Sequence, residues 1–281
     1  VVFKGATRTP EEVSRFLNQA TFGPTFDMIQ DFDNSGESFA SWIDSQIAMP
    51  PTLITDSMER EVLGGANRNH QLFHRGWWRA TAKGADQLRQ RMAFALSQIL
   101  VVSGQGSDVV RGSPEAAGAY YEILQNQAFG NYADLLEAIT YNLGMGTYLG
   151  HLRNQNENPE LRIFPDENYA RELMQLFSIG LVRLQPDGTL MLGADGLPIP
   201  TYNQTTISET AKVLTGWSFA GLPANVNEIN FTNPGLPEDL TTFFLASKPL
   251  PDTFSWLVPM GYFDAYHDKT AKSIVSLQQV P

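Results

Sequence analysis

"TPEEVSRFLNQATFG", residues 9–23, sets the character of the chain. Thr9 stands where an N-cap is needed, Pro10 takes the first helical position, and Glu12 completes a capping box. Val13, Phe16, Leu17 and Ala20 then recur at helical spacing, so the stretch predicts an amphipathic helix. Outward from it the same signature returns. "SFASWIDSQI" at 38–47 repeats it with Phe39, Trp42, Ile43 and Ile47, and "SPEAAGAYYEILQNQAFG" at 113–130 opens on Ser113-Pro114 and closes near Gly130. Asn131 can cap "NYADLLEAITYNLG", in which Leu135, Ile139 and Leu143 share a face before Gly144 and Gly146 interrupt it. The fold class predicted is mainly α: a multi-helix globular domain over residues 1–281.

After residue 180 the pattern changes. "LVRLQPDGTLMLGADGLPIPTY" at 181–202 alternates short apolar runs with Asp-Gly turns at 187 and 195, and predicts a small β-hairpin insertion near 182–202. Thr206 and Glu209 read as a second capping box ahead of "TAKVLTGWSF". Residues 221–265 lack periodicity and predict a long irregular segment pinned by Phe243, Phe244, Trp256 and Phe263. No internal repeat or low-complexity segment is apparent. "DKTAKSIVSLQQVP" at 268–281 begins like a new element, so the chain is expected to be the N-terminal part of a longer protein.

Composition narrows the function classes. A net charge of −11 with 19 Lys and Arg in no basic stripe argues against nucleic acid as a partner. The longest apolar run, "MAFALSQILVVSG" at 92–104, holds Ser97 and Gln98 and falls short of the about 20 residues a spanning helix needs. No transmembrane segment is expected. The absence of cysteine removes disulfides, thiolate metal sites and cysteine nucleophiles, and fits any redox compartment. "VVFKGATRTPEE" has no basic region followed by an apolar one, so an export signal is not expected within the chain.

Few motifs carry chemistry. "HQLFH" puts His70 and His74 at i and i+4, the spacing of two zinc ligands, but Gln71 stands where a zincin needs its glutamate base. The two histidines read instead as partly exposed neighbours of Trp77 and Trp78. The Asp-Gly pairs lack the alternating oxygen ligands of a calcium loop and read as turns. There is no nucleophile elbow, P-loop or dinucleotide fingerprint, so no metal or cofactor is assigned. "NQT" at 203 and "NFT" at 230 match the glycosylation triplet, which is too common to weigh.

"FPDENYARELMQLFSIG" at 164–180 is the densest polar stretch on a core-like helix. At helical spacing Tyr169, Leu173, Leu176, Phe177 and Gly180 form an apolar arc, extended by Ala170, Met174 and Leu181. Asn168, Glu172 and Gln175 border it, while Glu167, Arg171 and Ser178 lie opposite, with Glu167 and Arg171 placed for an ion pair. Asp166 and Glu167 fall where the helix dipole favours negative charge. Asn168 and Glu172 admit two readings. Partial burial can raise the Glu172 pKa toward values useful for proton transfer, or both side chains bind loop backbone.

With these segments in hand the chain resembles the bacterial domain of unknown function 1800 family. The resemblance is carried by "RFLNQATFGPT" at 15–25, "LRQRMAFALSQILVVS" at 88–103, "YYEILQNQAFGNYADLLEAIT" at 120–140, "ENYARELMQLFSIGL" at 167–181, "LTGWSF" at 214–219 and the PM-x-x-F-x-x-x-H pattern at 259–267. It implies a mostly helical architecture and a frequent export signal, hence a periplasmic or secreted location. It also implies a neighbourhood with the sulfatase- and phosphatase-like domain of unknown function 1501 family, whose members are candidate partners. The family's Asn-Glu-Asn-Tyr-Ala-Arg-Glu motif maps onto Glu167, Asn168, Tyr169, Ala170, Arg171 and Glu172, with Asp166 in place of the first Asn. Many relatives carry Trp-His-Asn-His-Phe where this chain has Leu96, Ser97, Gln98, Ile99 and Leu100, so both histidines are missing. Two functions are therefore expected in order. The first is an extracytoplasmic helical protein acting by binding or assembly in a cell-envelope or secreted complex. The second is a hydrolase of an envelope or extracellular substrate, with Glu172 as acid or base, Asn168 orienting substrate or water and Arg171 stabilising negative charge; Glu167 and Tyr169 would be structural or binding residues.

Overall fold

The computed structural model describes residues 8–104, 113–220 and 256–274. Among the described residues there are eleven α-helices, two short 3-10 turns and one pair of two-residue strands. The mainly helical class expected from the sequence is what the chain adopts. It forms two compact units, one from residues 1–98 and 121–135, the other from 99–120 and 136–281.

In the first unit, α1 (Pro10–Ala20) has the expected capping box: the Thr9 hydroxyl accepts from Glu12 N–H, and the Glu12 carboxylate accepts from Thr9 N–H. Val13 and Leu17 bury against Phe32 of α2 (Phe26–Ser35), flanked by Phe39 and Trp42 of α3 (Phe39–Ala48). Arg8 lies over the Phe32 ring at 4.3 Å. Helices α4 (Ile54–Leu63) and α5 (His70–Lys83) pack together, and α5 also meets α6 (Gln87–Ser97).

A buried polar network holds the extended 50–53 segment and the first turn of α4. Asp86 Oδ2 accepts from Thr52 N–H at 2.9 Å and from the Gln90 amide at 3.0 Å. Gln125 on α7 (Pro114–Asn126) donates to Gln90 Oε1 and Thr52 O and accepts from Ile54 N–H. Glu122 accepts from both the N–H and the hydroxyl of Thr55. A Pro-Pro segment makes no regular ladder, so side chains satisfy its backbone instead.

The second unit is built on α8 (Tyr132–Thr140), which crosses from the first, and on α9 (Leu143–Leu149), α10 (Asn168–Gln175) and α11 (Gln204–Val213). Its core gathers Ala116, Ala119, Leu143, Leu152, Phe219, Trp256 and Met260. The expected interruption at Gly144 and Gly146 falls earlier, at 141–142, where Asn142 caps α9 through Met145 N–H. Both glycines are helical because packing demands it: a Cβ on Gly146 would meet Met260 Cε, and one on Gly144 would lie 3.1 Å from Ala116 O. The α11 cap is Asn203, not Thr206, and Glu209 instead pairs with Lys212 at 2.7 Å.

The strand pair is β1 (Trp217–Ser218) with β2 (Gly261–Tyr262), antiparallel. The insertion expected near 182–202 takes a tighter form than a hairpin of strands, with three isolated antiparallel bridges, Val182–Pro200, Leu184–Leu190 and Leu192–Pro198. Most of the irregular segment expected over 221–265, with Phe243, Phe244 and the triplet at 230, lies outside the described residues; Trp256 is buried in the core.

Candidate functional site

The dense polarity of 164–180 resolves into a short helix and the hydrogen bonds that seat it. Helix α10 begins at Asn168 and ends at Gln175, so Leu176 to Gly180 continue as turns. Its buried face is Tyr169, Ala170 and Met174, joined by Phe177, while Leu176 is exposed rather than part of the apolar arc.

Asn154 fixes the entry to the helix. Its side chain accepts from Asp166 N–H at 2.7 Å and donates to Asp166 O at 3.1 Å, clamping one residue's backbone from both sides. Asp166 Oδ1 then accepts from Asn168 N–H at 2.8 Å, so Asp166 caps the helix from just outside it. The Asn168 amide donates to Leu149 O at 3.2 Å, satisfying a carbonyl that the end of α9 leaves open. Glu167 pairs with Arg171 at 3.3 Å as its spacing predicts, and also accepts from the Gln204 amide at 2.7 Å and the Ser208 hydroxyl at 2.5 Å. It thereby ties α10 to α11.

Tyr169 is fully buried and stacks on His151 with ring centroids 3.8 Å apart. The proton positions follow from chemistry. The Thr140 hydroxyl donates to Leu136 O, so Tyr169 O–H donates to Thr140 Oγ1 at 2.7 Å. A carbonyl only accepts, so the 2.7 Å contact between His151 Nε2 and Thr140 O fixes the Nε2–H tautomer. Nδ1 is left as a buried lone pair, and burial holds the imidazole down at about 4.

Glu172 shares a face with Asn168 at i+4. One of its carboxylate oxygens, Oε2, is buried with no hydrogen-bond partner among the described residues. The structure thus gathers Glu167 with Arg171 and places Asn168 on backbone, while Glu172 stands apart from both sets. Among the described residues no three His, Asp or Glu side chains are grouped to hold a metal ion.

A family model described as protein of unknown function (DUF1800) matches residues 15–275. The chain belongs to this family. No curated protein and no solved structure gives a significant match.

The insertion expected near 182–202 has a backbone geometry with consequences for binding. Arg183 N–H donates to Ile199 O, Ile199 N–H to Met191 O, and Met191 N–H to Arg183 O, each at 2.9–3.0 Å. Three residues at eight-residue spacing close a ring of backbone hydrogen bonds. The flanking pairs are the narrow, non-hydrogen-bonded kind, in which side chains sit closest. Such positions need no N–H, which is why Pro198 and Pro200 fit there. Gly188 and Gly196, at φ +84° and +75°, close the two Asp-Gly turns. Because side chains alternate, Val182, Leu184, Leu190, Leu192, Pro198 and Pro200 share one face. Leu184, Leu190 and Leu192 are 54%, 51% and 56% exposed. The two Asp-Gly pairs marked the turns in the sequence, but the closed three-residue ring depends on register between runs too short to form full strands.

Proposed function

We propose that this chain acts by binding and assembly in an extracytoplasmic, cell-envelope or secreted complex, through the apolar face of residues 182–200. The observation that carries this reading is that face. Six apolar side chains stand on a backbone locked by its own hydrogen bonds, with leucines more than half exposed, and exposed apolar patches of this kind are characteristic of partner surfaces. The polar stretch before it supports the same view, since Asp166, Glu167 and Asn168 are engaged in seating α10. The family resemblance adds the location and a partner class, the sulfatase- and phosphatase-like domain of unknown function 1501 family. Co-expression with such a partner, followed by size-exclusion chromatography with light scattering, tests it. The native chain is expected to elute as a complex and Leu192→Asp, with an unchanged circular dichroism melt, as a monomer. Elution of both as monomers overturns the reading.

One observation favours a second reading, a hydrolase using Glu172: the buried, unpartnered Oε2 is the kind of desolvated carboxylate oxygen that acid/base chemistry employs. Arg171 would serve it by neutralising negative charge, although Glu167 already engages that guanidinium. Loss of hydrolysis in Glu172→Gln against a panel of envelope esters and phosphoesters, without loss of fold, would establish it.

A further inference from the structure

Resting on the binding reading, we propose that the 182–200 face docks a protein segment whose apolar anchor is flanked by lysine or arginine. The argument is the distribution of charge around the face. Two corners of the module are the turns at Asp187-Gly188 and Asp195-Gly196, and both aspartates are exposed. The turn bonds fall on one oxygen of each: Asp187 Oδ1 accepts from Thr189 N–H and hydroxyl, and Asp195 Oδ1 accepts from Leu197 N–H. Oδ2 of each carries none of these bonds. The bonds from Thr189 also hold the Asp187 carboxyl below its usual range, so it stays ionised.

The only cation between residues 176 and 203 is Arg183, which alternation places on the side opposite Leu184. Of the residues within 176–203, those on this face therefore supply an apolar centre with an aspartate at each of two corners and no basic group. A second copy of this chain would set aspartate rims against each other, on molecules each carrying a net charge of −11. An anionic lipid surface meets the same repulsion. A basic rim around an apolar anchor is the complement that both the centre and the corners accept.

The probes are two fluorescein-labelled peptides with the same Leu-Leu-Leu centre, one flanked by lysines and one by glutamates, titrated against the full chain by fluorescence anisotropy. The lysine peptide is expected to bind more tightly by about threefold to tenfold. That preference should fall toward unity in Asp187→Asn/Asp195→Asn, and both peptides should be lost in Leu192→Asp. Equal affinity for the two peptides, with loss in Leu192→Asp, overturns the charge assignment while leaving the binding face standing. A preference that survives Asp187→Asn/Asp195→Asn overturns it too, because the net charge of the molecule would then be the cause. Binding of neither peptide overturns the proposal, as does sedimentation as a dimer that Leu192→Asp dissolves, or retention on phosphatidylcholine vesicles that the same variant abolishes.

Discussion

Asn154 seats the entry to α10 from outside that helix. Its side-chain amide makes two hydrogen bonds to the backbone of Asp166, and its own carbonyl accepts from Gly216 N–H at 2.7 Å. Asn154→Ala removes both side-chain bonds and strands two backbone groups, so it is expected to lower stability by about 2–3 kcal/mol in denaturant unfolding. Glu172 behaves in the opposite sense. A buried carboxylate oxygen without a partner is a net cost to folding, so Glu172→Gln is expected to leave the melting temperature unchanged or raised. A drop of several degrees on thermal unfolding would show that the carboxylate has a stabilising role after all.

Glycines separate local demand from tertiary demand at the level of elements. Gly216, between α11 and β1, has φ +83°, and a Cβ there would lie 2.9 Å from His267 Cβ and 3.0 Å from Phe263 O. Gly188 has φ +84° with open space around it. Both substitutions to alanine strain the backbone, but only one also collides. Gly188→Ala is expected to cost about 1 kcal/mol and Gly216→Ala at least about twice that, measured as the shift in denaturant midpoint. The same division explains what the sequence disclosed. The α1 capping box, the turns at Gly188 and Gly196 and the Glu167–Arg171 pair were legible because each depends on neighbours within a few residues. The helical state of Gly144 and Gly146 was not, since it is set by Ala116 and Met260 from distant parts of the chain. Nor could spacing within 164–180 reveal that Leu176 leaves the helix, or that Asn154 and His151 are what α10 rests on.

Acid sensitivity belongs to the whole molecule, because buried groups with shifted titration lie in both units. His151, in the unit holding α9 and α10, titrates at about 4 when folded against 6.5 otherwise, owing to burial. Between those values the unfolded chain binds a proton that the folded chain refuses, so stability is lost as pH falls from 6.5 to 4, by about 3 kcal/mol. Glu122, in the other unit, is raised by burial, which outweighs the bonds from Thr55. A carboxyl that keeps its proton longer when folded works against stability as pH rises above its unfolded value of 4.5. The two linkages thus have opposite signs, and calorimetry across pH 4–7 can separate them by variant. His151→Gln retains a donor for Thr140 O but has no group that titrates in this range, so its unfolding free energy should lose the steep rise between pH 4 and 6.5, whatever its absolute value. Glu122→Gln keeps an acceptor for Thr55 and should gain on the wild type progressively as pH rises above 4.5. If the acid slope persists in His151→Gln, the buried imidazole is not its source.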